Sequence, residues 1–143
     1  MTLQDAEAVA ALSGQLGYPS TPAEIGRRFR ALDGSPDSQV LVAEGESGMV
    51  IAWIHVCATR HLESDSVAEV VGLVVAEDAR GRGIGRALMA EAERWSLGRG
   101  YATVMVRSNV IRVPAHAFYQ RLGFEIAKSQ YKFRKSICKE EAS

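Results

Sequence analysis

The chain has 143 residues, 47% hydrophobic and 24% charged, which is enough for one domain with its own core and too few for two of ordinary size. Its 17 basic and 17 acidic residues cancel, which argues against nucleic acid as the main partner, and no apolar run is long enough to cross a bilayer. The polar, acidic start Met1-Thr-Leu-Gln-Asp5 is unlike a signal peptide, so a cytoplasmic location is expected. Cys57 and Cys138 lack metal-ligand spacing and would stay thiols there, with no metal site expected.

From the N-terminus, Leu3 to Leu16 is rich in Ala and Leu and reads as a helix with Thr2 as its cap, broken by Gly17-Tyr-Pro-Ser20. Thr21-Pro-Ala-Glu24 is a stronger helix start, with a capping Thr, Pro at the first position and Glu at the third. It leads into Ile25, Phe29 and Leu32 on one face. Gln39 to Glu44 and Met49 to Cys57, separated by Gly-Glu-Ser-Gly, read as an antiparallel hairpin, and Ala68 to Val75 as the next strand. Ile84, Leu88, Ala92 and Trp95 recur at helical spacing, with Gly98 and Gly100 to stop the helix, and Tyr101 to Arg107 is a strand. Strand, helix and strand then form a right-handed parallel crossover. Pro114 opens a short helix through Leu122, two last strands are expected near Phe124–Ala127 and Gln130–Ile137, and residues 138–143 read as a frayed tail.

Between the third strand and its helix lies Arg80-Gly-Arg-Gly-Ile-Gly85. Three glycines in alternate positions remove the Cβ atoms that would keep an anion from the backbone, and the helix start behind them offers unpaired N–H groups and a positive dipole end. This is a phosphate cradle, suited to a pyrophosphate. A dinucleotide fingerprint would need glycine at Arg86, and a P-loop would need Gly-Lys-Ser/Thr, so both fail on spacing. What fits is Arg/Gln-x-x-Gly-x-Gly/Ala, filled by Arg80, Gly83 and Gly85.

That pattern resembles the acyl-CoA binding motif of the GNAT superfamily of N-acyltransferases. Leu73 and Val75 match the Leu-x-Val that precedes the loop in that family, and Ala115-His-Ala-Phe-Tyr119-Gln-Arg-Leu-Gly-Phe124 matches its later Tyr-x-x-Leu-Gly-Phe segment. The resemblance implies one GNAT domain over residues 1–143, an α/β (α+β) fold with a mixed central sheet of about six strands and flanking helices. The usual first strand is short or missing, leaving a sheet edge that a second copy would cover in a homodimer. It also implies acetyl-CoA as co-substrate, bound by main-chain groups of Leu73, Val74 and Val75 and by Arg80, Gly81, Arg82, Gly83, Ile84, Gly85 and Arg86, with Phe118 beside the thiol. The family often has Asn three residues before the Ala matched by Ala115; here Arg112 stands there and Asn109 lies three residues further back, so either could make that contact.

By the same resemblance Tyr119 is the general acid that protonates the departing thiolate, against the plain alternative of a ring packed in the core. Glu69, eleven residues before Arg80, is the candidate base, at the spacing seen in histone acetyltransferases of the superfamily. Strict alternation would put it on one face with Val71, Leu73 and Val75, an apolar setting that raises a carboxyl pKa; the competing reading is pairing with an arginine. His55, Asp65 and Glu63 stand behind it, and His116 reads as an ordinary helical histidine. Residues 1–79 hold twelve acidic residues and four arginines, whereas residues 80–143 hold thirteen basic and five acidic, giving −8 and +8. One reading is that a basic half holds a polyanionic cofactor and an acidic half attracts a cationic amine; the other is that folding interleaves the halves. The expected function is acetyl transfer to a primary amine by direct attack in a ternary complex, with no membrane or nucleic-acid partner. A non-catalytic acyl-CoA sensor or interaction module on the same fold, and a nucleotide-binding regulator, stay open. Gly17-Tyr-Pro and the region of Trp53, His55 and His61 are expected to line the acceptor side.

Overall fold

The Ala- and Leu-rich start is helical throughout, but in three pieces: a 3₁₀ turn (Leu3–Asp5), helix α1 (Ala6–Ser13) and a second 3₁₀ turn (Gly14–Leu16). The computed structural model describes residues 1–108 and 112–138. Ahead of the first turn the Thr2 N–H donates to the Asp5 carboxylate at 2.7 Å. Gly17, at φ 81°, ends the helical run in a conformation that costs glycine little. The capping box at Thr21 forms as its residues suggest: Glu24 N–H donates to Thr21 Oγ1 (3.1 Å) and Thr21 N–H to Glu24 Oε1 (3.2 Å). Helix α2 (Pro22–Leu32) follows, with Ile25, Phe29 and Leu32 half-buried on one face.

Strands β1 (Ser38–Glu44), β2 (Val50–Thr59) and β3 (Val67–Val75) form an antiparallel meander. Helix α3 (Ile84–Gly98) then carries the chain to β4 (Val104–Val106), which runs parallel to β3. The sheet order is β1-β2-β3-β4. Gly98 stays within α3, and the left-handed turn falls at Gly100 (φ 85°). The core lies where α1 and α3 meet β2: Ala52, Ile54 and Val56 are fully buried, with Val9, Leu12, Leu88, Met89 and Ala92 packed from the helices. Among the described residues, no helix is long and apolar enough to cross a membrane.

The pairing of β2 with β3 shifts register between His55 and Val56. His55 faces Gly72 and Val56 faces Val70, so Val71 has no partner and bulges. A bulge reverses alternation beyond it. Leu73 and Val75 share a face with Ile54 and Ala52, whereas Glu69 sits opposite Cys57, on the other face with His55, Trp53 and Gly72. The expectation that Glu69 lies with Leu73 and Val75 is therefore corrected.

The chain resolves into two compact units, residues 1–107 and the segment from Ser108 onward. In the second, α4 (Val113–Arg121) carries Pro114 in its first turn and is followed by Gly123 at φ 95°. Among the described residues the two last strands are absent, so the sheet has four strands there, not about six. Residues 124–138 carry a strand-like alternation, yet alternation only makes a strand where a neighbouring ladder takes its N–H and C=O groups. Tyr131, Phe133 and Ile137 are 92%, 91% and 87% exposed, and the first two rings lie tilted against each other with centroids 6.5 Å apart.

Candidate functional site

Strand β3 ends at Val75 and pairs with β4 only through Ala68, Glu69 and Val70. From Val71 to Val75 its main chain therefore has no β4 partner among the described residues, and the strand runs on toward the glycine loop. In that loop Gly81 and Gly83 take φ of 80° and 79°, and a Cβ built on either would meet nothing within 4 Å. Such backbone is strained for other residues, and the open space above it is where an anion could approach. Gly83 is also the cap of α3. A glycine cap offers no side-chain acceptor, so the first-turn N–H groups of this fifteen-residue helix stay available to a ligand. Gly85 differs from its two neighbours, being helical as the second residue of α3. Arg80 turns back so that its Nε–H donates to the Val75 carbonyl at 3.2 Å, which anchors a guanidinium at the end of the sheet. Arg82 and Arg86 are exposed and carry no ion pair among the described residues.

Glu69 has two partners. Thr59 Oγ1 donates to its Oε2 at 3.1 Å, and Arg107 Nε to its Oε1 at 3.1 Å. The sequence did not suggest Thr59, and it raised an arginine only as a class. The register of the sheet identifies it: Met105 aligns with Glu69 in the parallel pair, so Arg107, two residues on, projects to the same face. On that face burial pushes the Cys57 thiol up, and the Glu69 charge opposite adds to the effect, which leaves Cys57 a poor nucleophile. Burial lowers the pKa of His55, favouring neutral imidazole; its Nε2 and the Trp53 Nε1 are buried without a hydrogen-bond partner among the described residues.

In the second unit Tyr119 and Phe118 lie on α4. Tyr119 packs edge-on against Phe118 (centroids 5.3 Å apart) and against Phe124 (5.9 Å). Burial raises its pKa while Arg112 opposes the shift, so at neutral pH its phenol keeps the proton that an acid must donate. Asn109 lies outside the described residues. Arg112 is exposed at the cap of α4. Among the described residues no group of three or more His, Cys, Asp or Glu is placed to hold a metal ion. A cavity of about 380 Å³ beside β1, lined by Phe29, Leu32, Gln39, Val40 and Arg99 among others, includes none of the candidate residues.

Residues 36–126 match the family described as the acetyltransferase (GNAT) domain. Over 65 residues the chain is 42% identical to an uncharacterized N-acetyltransferase of Methanocaldococcus jannaschii, covering 46% of this chain and 29% of that protein. It is 25% identical over 136 residues to an aminoglycoside N(6')-acetyltransferase type 1 of Serratia marcescens, covering 92% of both. Its fold matches that of the aminoglycoside N-acetyltransferase AAC(6')-Iy solved with CoA, at a TM-score of 0.81 and 19% identity, over 96% of this chain and 92% of the other. The chain spans 24% to 29% of the length of several curated relatives that it matches. With the family match over most of its length and the fold match alongside, this chain belongs to the GNAT acetyltransferase family.

Proposed function

We propose that this protein transfers the acetyl group of acetyl-CoA to a cationic primary amine by direct attack in a ternary complex. The observation that carries the reading is the cradle: two left-handed glycines with open space above them, at the uncapped start of α3, where the last five residues of β3 have no β4 partner. Its residues fit a diphosphate. First-turn N–H groups from Gly83 onward would bind the phosphate oxygens, and Arg80, Arg82 and Arg86 would add charge. Main-chain groups of Leu73, Val74 and Val75 would hold the pantetheine arm and polarise the thioester carbonyl.

Bound acetyl-CoA supplies an acetyl group already activated as a thioester. The acceptor ammonium first gives one proton to Glu69 through a water, which frees the lone pair that attacks the carbonyl carbon; Glu69 passes that proton to solvent and then accepts the second proton that the nitrogen loses as the adduct collapses to the amide. Tyr119 gives its phenolic proton to the sulfur as the carbon–sulfur bond breaks, and recovers one from solvent. The products are the acetylated amine, free CoA thiol and one proton released to solvent.

The test is a thiol-release screen with acetyl-CoA over aminoglycosides, polyamines, amino-acid derivatives and peptide amines. Acetyl-CoA with at least one of these amines should release thiol, and Tyr119→Phe should slow that release by about 10²- to 10⁴-fold while acetyl-CoA binding holds. Unchanged turnover in Tyr119→Phe would remove the tyrosine from the chemistry. Silence over the whole panel, with acetyl-CoA still bound, would remove catalysis itself.

A further inference from the structure

We propose that Arg107 is a displaceable counter-ion, holding on Glu69 the place that a cationic acceptor takes. This rests on Glu69 facing the acceptor, as read above. The pair is lopsided: the Glu69 side chain is 13% exposed and that of Arg107 is 68% exposed. The carboxylate is thus set into the sheet surface while its partner reaches in from water.

The two donors on Glu69 are anchored differently. Thr59 belongs to β2, in register with β3 through the adjoining pairs Ala58 with Ala68 and Thr59 with Val67, so its hydroxyl is fixed by the ladder. Arg107 follows a strand of only three residues, and its long side chain is mostly solvated. An ion pair with one partner in water is weak, because solvent and salt screen it. An ammonium group that brings its own contacts can therefore take Oε1 without disturbing Thr59 on Oε2.

The surrounding face favours the exchange. Of the residues that β2 and β3 place there with Glu69, Cys57 lies directly opposite and His55 faces Gly72 further along; burial favours the neutral form of both. Among the described residues, Glu69 is the one acidic group that β2 and β3 place on that face, so a cation finds a single carboxylate there. A neutral acceptor could not replace the guanidinium, and an anionic one would be held by Arg107 away from the carboxylate.

Steady-state kinetics test this with the amine that turns over fastest in the thiol-release screen, using wild type, Arg107→Ala, Arg107→Lys and Glu69→Gln, each checked by thermal melting. Removing the competitor should lower the acceptor KM about two- to fivefold in Arg107→Ala, with kcat and the acetyl-CoA KM nearly unchanged. Arg107→Lys should return the acceptor KM to the wild-type value, and Glu69→Gln should raise it. If Arg107→Ala does not fold, Arg107→Gln is read the same way. A raised acceptor KM, or a lower kcat at unchanged KM, in the neutral variant would overturn the proposal and make Arg107 a positioning residue. Unchanged kinetics in Glu69→Gln would overturn it while leaving acetyl transfer intact; a panel with no turnover removes both.

Discussion

A missing methyl group at position 72 governs how Trp53 lies on the sheet. A Cβ built on Gly72 would come within 2.6 Å of two atoms of the Trp53 ring, far inside contact distance. Gly72→Ala should therefore force a rigid indole aside and cost about 1–3 kcal/mol, read as a lower urea midpoint at unchanged slope. In a Trp53→Leu background the same change should cost much less, since the atoms in the way are gone. Equal cost in both backgrounds would mean that the strain arises elsewhere. A glycine inside an apolar strand commonly signals a bulge or a close approach, and here it signals both, with Val71 bulging beside it. Strict alternation applied across that point placed Glu69 on the wrong face. Its Arg107 partner was legible only once β4 was known to lie parallel to β3 with Met105 beside Glu69.

Elements whose ends carry their own chemistry were legible; those that depend on a distant neighbour were not. Helix α2 starts where Thr21, Pro22 and Glu24 say it should, because a capping box is satisfied by residues three apart. Thr21→Ala should remove the acceptor of the Glu24 N–H and destabilise the protein by about 1 kcal/mol, while Thr21→Ser should cost little. Equal melting temperatures for Thr21→Ala and wild type would show that solvent replaces the cap without loss. The glycine cradle belongs to the same local class: Gly81 and Gly83 supply the left-handed turns before α3 from their own conformational freedom. The segment from Phe124 to Ile137 belongs to the other. Its alternating pattern describes a surface that would suit a sheet, but pattern alone cannot supply the ladder, and among the described residues four strands form where about six were expected.

At the scale of the whole molecule, the charge reversal along the chain does not coincide with its structural division. The sign changes at Arg80, whereas the first unit runs to residue 107, so the cradle arginines and Arg107 belong to the same unit as the twelve acidic residues that precede them. An acidic half and a basic half are therefore not separate bodies. Arg94 is tied to Glu91 and Arg107 to Glu69, whereas Arg82 and Arg86 have no ion pair among the described residues and flank the start of α3. Two unengaged guanidinium groups beside free N–H donors give an anionic ligand charge without first breaking an existing bond. Acetyl-CoA at about one hundred times its Kd should then stabilise the folded chain by about 2.7 kcal/mol, seen as a rise in Tm. Because these groups are exposed, raising the salt concentration should weaken acetyl-CoA binding. In Arg82→Ala/Arg86→Ala both the affinity and its salt dependence should fall together, leaving the weaker, less salt-sensitive share that Arg80 and the backbone donors provide. Were the double variant to bind as tightly as wild type with the same salt slope, Arg82 and Arg86 would have no part in meeting the ligand's charge.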